Sequence, residues 1–242
     1  AEFVKQFFNE KKFYLKTVDI KKLAKKSQKG LEETGRSARY KFFDQLAKKY
    51  KAKYILTAHH ADDNLETVIL NFVRGASLSG LSGMQEKEDN LLRPLLSFSK
   101  NQIINYLKFK KIQYLTDETN LDTTYKRNFI RHEIIPKLKK INPSITETTA
   151  RNSQNLRQIN AHLKQTAQKW LKLQKPAKLD ARSFRQKPEV LQKIILLEAY
   201  KNRTKNTTNI ESKHLDEVLK IINQNIGNKK KRLGKLTIFV KN

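Results

Sequence analysis

ILTAHHADDNLETVILNFVRG, residues 55–75, runs from a short apolar segment into an amphipathic one through a hinge holding two histidines, two aspartates and a glutamate. Leu65, Val68, Ile69, Phe72 and Val73 recur at the i, i+3, i+4, i+7, i+8 spacing of a helix with one buried stripe. Tyr54 to Thr57 reads as the strand before it. Working outward, Leu31 to Tyr50 is helical with Ala38, Phe42, Phe43, Leu46 and Ala47 inward. Phe13 to Ile20 reads as a strand, and Glu2 to Lys11 as a helix carrying Phe3, Val4, Phe7 and Phe8. This alternation predicts a mostly parallel sheet covered by helices, with ligands beyond the carboxyl ends of the strands, where the polar hinge begins.

Downstream, Gly75 to Gly83 reads as a small-residue loop, Glu86 to Asn90 as a polar turn before Leu91 to Leu96, Lys100 to Lys110 as a helix, and Ile112 to Leu115 as a short strand. From about Asn128 the βα rhythm stops. Ile145 to Leu171, Glu189 to Tyr200 and Glu211 to Asn225 are helical, Leu233 to Val240 is a terminal strand, and Pro136 and Pro143 are the expected hinges. The fold class is α/β: a parallel-sheet domain over 1–127 and a smaller, mostly helical domain over 128–242.

At 242 residues and 38% hydrophobic content the chain can build real cores. It holds no apolar run of the ~18 residues a membrane helix needs and no secretory signal pattern, so a cytoplasmic protein with no membrane partner is expected. It has no cysteine, which excludes disulfides, thiolate metal sites and cysteine nucleophiles. Lys+Arg 51 against Asp+Glu 23 gives +28 and favours a polyanionic partner such as nucleic acid. Lysine use as a generic surface residue explains part of the count but not the shortage of acids. The chain opens on Ala1 with a single methionine, Met84, as a sequence beginning inside a longer protein would.

The hinge admits two readings. Asp63 followed three residues on by Glu66 fits a capping box that starts the helix, which leaves His59, His60 and Asp62 unexplained. Alternatively, imidazoles and carboxylates line a crevice, where Asp63 and Glu66 hold Mg²⁺ against nucleotide phosphates or a carboxylate takes the proton of an amine nucleophile. Arg36 and Arg39, one turn apart beside Tyr40, suit phosphate or are surface residues of a soluble helix. Arg127 and Arg131, at i, i+4 with Asn128 and His132 between, project from one face, for helix pairing or for RNA phosphate.

GRSARY, LTAHHADDNLETVILNFVRGASLSGLSGM, LLRPLL, TDETNLDTTYKRNFIRHEIIPKL and INPS, in this order between about Leu31 and Ser144, resemble the tRNA(Ile)-lysidine synthetases of the PP-loop ATP pyrophosphatase family. The resemblance implies a PP-loop catalytic domain and a two-step reaction with ATP and Mg²⁺. The wobble cytidine of a tRNA(Ile) with a CAU anticodon is adenylated at its C2 oxygen, and the ε-amine of free L-lysine then displaces AMP. It places His59, His60, Asp63 and Glu66 at the reaction centre and Arg36, Arg39 and Arg74 on the nucleotide. Arg93, Arg127, Asn128 and Arg131 fall to the tRNA, and Asp62 is the weakest member. The family's SGGxDS phosphate loop is nowhere in the chain, whose seven glycines form no such loop. The opening strand and loop are therefore expected to be truncated, and the chain as given is expected to bind ATP poorly. Beyond Ser144 the resemblance is limited to helical character and to LGKLTIFV.

Among rivals, a PP-loop tRNA thiolase carries sulfur on cysteine pairs, which this chain lacks. A metal-dependent phosphohydrolase would use His60, Asp62 and Asp63 but leaves the arginine motifs idle. A non-enzymatic basic RNA-binding module, or a degenerate remnant, accommodates the charge and the missing loop. Lys229 to Arg232, KKKR, reads as a solvated turn or a tRNA contact, the turn slightly favoured.

Overall fold

The computed structural model describes residues 2–7, 13–28, 30–115, 126–175, 178–204, 210–224 and 228–240. The expected helical residues 8–11, the end of the last helix at Asn225 and the TDETNLDTTY part of the resemblance lie outside them. The chain divides into two compact units, 1–66 with 84–144 and 67–83 with 145–242. The divisions fall at 66/67, 83/84 and 144/145, whereas the sequence places one boundary at 127/128.

In the first unit, helices α1 (Glu2–Phe7), α2 (Ile20–Ser27) and α3 (Leu31–Lys49) precede strand β1 (Ile55–Leu56). The strand expected over Phe13 to Ile20 does not form. Residues 13–19 have no strand partner among the described residues, and Asp19 accepts the Lys22 N–H and starts α2 instead. Side chains anchor this segment: the Tyr14 hydroxyl donates to that of Tyr50, and Lys16 donates to Gln45.

Helix α4 (Ala61–Val73) follows β1, then α5 (Leu78–Leu81), β2 (Lys87–Glu88), β3 (Leu91–Leu92) and α6 (Lys100–Phe109). β1 pairs parallel with β3, Ile55 opposite Leu91 and Leu56 opposite Leu92, and β2 pairs antiparallel with β3 in the order β1-β3-β2. The Ile55 and Thr57 N–H groups donate to Asn90 and Leu92 carbonyls. β1, α4 and β3 thus form the expected parallel crossover, and the hinge 57–60 sits at the carboxyl end of β1. Residues 112–115, read as a strand, carry no ladder.

Gly75 at φ +70 closes α4: its N–H donates to Phe72, and that of Ala76 to Asn71, a Schellman ending. The apolar stripe of α4 is not buried throughout. Leu65 is 1% exposed, but Phe72 and Val73 are 72% and 75% exposed, because the last turn projects into solvent.

Helix α7 (Lys126–Phe129), a π turn (Ile130–Ile134) and α8 (Ile135–Ile141) run on as one rod. Pro136 explains the π turn. It has no N–H for the His132 carbonyl and its ring crowds that carbonyl, so the ladder widens, and the Ile135 N–H donates to Ile130. Ile130 and Ile135 then both turn inward, each 6% exposed.

The second unit packs α9 (Ile145–Lys172), α10 (Ala181–Arg185), α11 (Glu189–Thr204) and α12 (Ser212–Asn223) with a hairpin of β4 (Lys229–Leu233) and β5 (Leu236–Val240). Phe184, Ile195, Leu196, Val218 and Leu233 form its core. The basic run 229–232 is strand rather than the favoured turn, because the Gly234 turn pairs it with β5.

Candidate active site

The polar hinge is built from the end of β1, the first turn of α4 and the α7–π turn, all in the first unit. His60 precedes α4, and its backbone N–H donates to Asp63 Oδ2 (3.0 Å) while its Nδ1 accepts the Asp63 N–H (3.4 Å). The reciprocal cap therefore lies one turn earlier than the Asp63–Glu66 box expected from the sequence. His60 holds the cap position, with an imidazole nitrogen in the role a hydroxyl ordinarily fills.

Glu66, freed from capping, is 1% exposed and receives two guanidinium groups. Arg127 Nε donates to its Oε2 (3.0 Å); Arg131 donates Nε to Oε1 (2.6 Å) and Nη2 to Oε2 (3.0 Å). Arg127 Nη2 also reaches the Asp63 carbonyl (3.3 Å), and Arg131 Nη2 lies 3.6 Å from Asp63 Oδ1. Burial works against the Arg131 charge, but the hydrogen bonds and charge of Glu66, with Asp63 and Asp62 behind it, hold its pKa above the ordinary value. The i, i+4 arginines thus share one buried carboxylate.

His59 Nδ1 lies 2.9 Å from Thr57 Oγ1. Burial lowers its pKa below the ordinary value, and Arg93, Arg36 and Arg127 push the same way against Asp63. His59 is thus a neutral imidazole at pH 7, within the field of three arginines.

Asp62 serves the scaffold: its Oδ2 accepts the Lys100 N–H at the start of α6 (2.7 Å) and its Oδ1 lies 3.8 Å from Lys139 of α8. The Ala61 N–H donates to Phe98 in the same seam. Asn64, 2% exposed, accepts the Met84 N–H (2.7 Å). Sequence reasoning missed Thr57, Asn64 and Lys139. Only Thr57, two residues before His59 along a strand, left a local signal.

Arg93, expected on tRNA, is 3% exposed; its Nη1 donates to the Gln85 carbonyl (2.7 Å) and its Nη2 to Glu88 (3.1 Å), which ties β2 to β3. Its Nε is buried with no partner among the described residues. Arg36 and Arg39 are exposed on α3, with the Arg36 guanidinium 4.9 Å from the Tyr40 ring centroid. Asn128 is half-buried on α7, and Arg74 is exposed just past α4 in the second unit.

The donors do not fit a directly bound Mg²⁺. Both Glu66 oxygens carry guanidinium hydrogen bonds, Asp63 Oδ2 caps the helix, and no three carboxylate or imidazole groups converge as ligands among the described residues. An anion fits better. The charges of Arg36, Arg93 and Arg127 all act on neutral His59, and the exposed Arg36 presents a guanidinium fork of the kind that matches phosphate oxygens.

A parallel crossover with its polar cluster at the strand's carboxyl end is the arrangement of a nucleotide-binding α/β domain. A family model described as PP-loop domain matches residues 1–138, and the chain belongs to that family. Its curated relatives include the tRNA(Ile)-lysidine synthase of Porphyromonas gingivalis strain W83, 43% identical over 144 residues covering 59% of this chain and 32% of the relative. That of Thermosipho africanus is 38% identical (62% and 35%), and that of Nitrosomonas europaea 40% identical (59% and 31%). The chain thus spans about a third of the length of these relatives. The solved U34-tRNA thiolase NcsA from Methanococcus maripaludis is similar at 14% identity with a TM-score of 0.41, over 63% of this chain and 48% of that chain. No described helix is long and apolar enough to cross a membrane.

Proposed function

We propose that this chain carries the reaction centre of a tRNA(Ile)-lysidine synthase, a ligase that joins L-lysine to the wobble cytidine of a tRNA(Ile) with a CAU anticodon. The observation that carries this reading is the Glu66–Arg127–Arg131–Asp63 cluster beside neutral His59, in a PP-loop domain whose curated relatives bear that name.

The cytidine C2 oxygen attacks the α-phosphorus of ATP and pyrophosphate leaves; the lysine ε-nitrogen then bonds to C2, and AMP leaves with the C–O bond electrons. Arg36 and Arg127 oppose the charge that builds on the phosphoryl oxygens. The attacking ammonium must lose a proton, which neutral His59 can accept, with Asp63 as the second acceptor. Glu66 holds both guanidinium groups at fixed orientation. Arg39 and Asn128 supply outer contacts to ATP or tRNA. Mg²⁺, when present, neutralises phosphate charge and would be held mainly by phosphates and water rather than by Glu66.

The test is AMP formation by the full-length gene product with ATP, lysine and transcript. The reading expects release that requires all three and ceases when uridine replaces the wobble cytidine. Release indifferent to that base would overturn it.

A further inference from the structure

The second unit ends in a hairpin with unlike faces. Lys230 stands opposite Phe239 and Arg232 opposite Thr237. These four side chains are exposed, while Leu233 and Val240 on the other face are buried in the core and Leu236 and Ile238 pack against it. Residues 228–240 contain Lys229, Lys230, Lys231, Arg232 and Lys235 and no acidic residue. Glu217 takes Lys231 (2.9 Å), whereas Lys230, Arg232 and Lys235 meet no carboxylate at ion-pair distance among the described residues. Phe239 is 46% exposed on this cationic face, with Lys230 Nζ 5.7 Å from its ring centroid.

The platform is pre-organised. Gly234 at φ +56 makes the two-residue turn, and a Cβ there would lie 2.6 Å from the Tyr200 hydroxyl. The Lys235 N–H donates to that same hydroxyl (3.2 Å). The backbone of the outer face is therefore set before binding, which leaves only its side chains to be ordered.

We propose that the outer face of this hairpin is a contact for single-stranded RNA: Phe239 stacks on an unpaired base while Lys230, Arg232 and Lys235 meet the flanking phosphates. An aromatic π-face beside a track of cations is the chemistry that holds single strands without reading sequence. Lysines on an edge strand also guard against strand-to-strand association, but a face built only to repel does not present phenylalanine. The identity of the RNA as tRNA rests on the function proposed above; the stacking chemistry does not.

Fluorescence anisotropy on the full chain tests this with three probes: a tRNA(Ile) transcript, a uridine oligonucleotide and a blunt RNA duplex. Phe239→Leu is expected to weaken oligonucleotide binding about tenfold and leave duplex binding unchanged. Lys230→Gln with Arg232→Gln is expected to weaken oligonucleotide and transcript binding and to flatten the salt slope on the oligonucleotide by about 0.7 for each phosphate no longer neutralised. Both are outward positions, and wild-type circular dichroism and urea midpoints confirm folding. Wild-type affinity in both variants overturns the proposal, as does equal loss on duplex and oligonucleotide with Phe239→Leu. Self-association of the charge variant with unchanged RNA affinity also overturns it and assigns the lysines to edge protection. If the variants behave as expected while the full-length product makes no lysidine, the RNA-binding face stands and the catalytic reading alone falls.

Discussion

Replacing Glu66 by alanine removes the shared anchor of Arg127 and Arg131. Three guanidinium hydrogen bonds end on its carboxylate, itself 1% exposed, and the two arginines lose the carboxylate they share while still largely covered. Breaking a buried pair from one side costs about 3–5 kcal/mol. Since the arginine side chains keep 24% and 28% of their surface in water, the low end, about 3 kcal/mol, applies. Glu66→Gln keeps the volume and one acceptor and is expected to cost about 2 kcal/mol. The assay is urea unfolding followed by circular dichroism, because the single tryptophan, Trp170, lies in the other unit. A cycle with Arg131→Met is expected to show coupling above about 1 kcal/mol. Millimolar Mg²⁺ is expected to leave the wild-type midpoint unchanged, because the carboxylate is already occupied; a metal site would raise it. A Glu66→Ala loss under about 0.5 kcal/mol, within the range of ordinary surface changes, or a Mg²⁺-dependent gain that Glu66→Gln abolishes, refutes the clamp.

Three further outcomes follow from the same geometry. Because the folded pKa of His59 lies below its ordinary value, stability is full above pH 6.5 and falls as pH drops from there through the lowered folded pKa; His59→Gln flattens that decline in urea midpoints, and an unaltered slope counts against a buried neutral imidazole. Pro136→Ala restores the missing N–H and is expected to let the π turn relax toward α, moving Ile135 and Lys139 off their partners. Hydrogen exchange across 130–139 reports the change, and unaltered protection there rules out Pro136 as the cause. Arg93→Met is expected to destabilise by about 1 kcal/mol through the lost hydrogen bond to the Gln85 carbonyl, Glu88 being 57% exposed and hydrated without it; a variant of wild-type stability that loses only RNA affinity would return Arg93 to the tRNA role its motif implies.

What the sequence revealed was local. Helix α4 and the inward start of its stripe follow from spacing within a dozen residues, and Gly75 announced the helix end. The partners of Glu66 lie 61 and 65 residues away, and no periodicity reports a pairing at that range. The cap was misplaced by one turn because imidazole is an uncommon cap acceptor. Phe13 to Ile20 misled because alternation describes a face, whereas a strand also needs a partner. Arg93 followed its motif to phosphate, but its burial is a tertiary fact. The arginine pair on α7 and the π turn was found by spacing, and its protein partner only by the structure.

The most direct measurement is incorporation of labelled lysine into a tRNA(Ile) transcript by the full-length gene product with ATP and Mg²⁺, alongside Asp63→Ala and Arg131→Met. Label is expected at the wobble cytidine with the wild type and is expected to be lost in both variants while their folds persist. Intact protein that transfers no lysine to a competent transcript, or folded variants that transfer it at the wild-type rate, would contradict it.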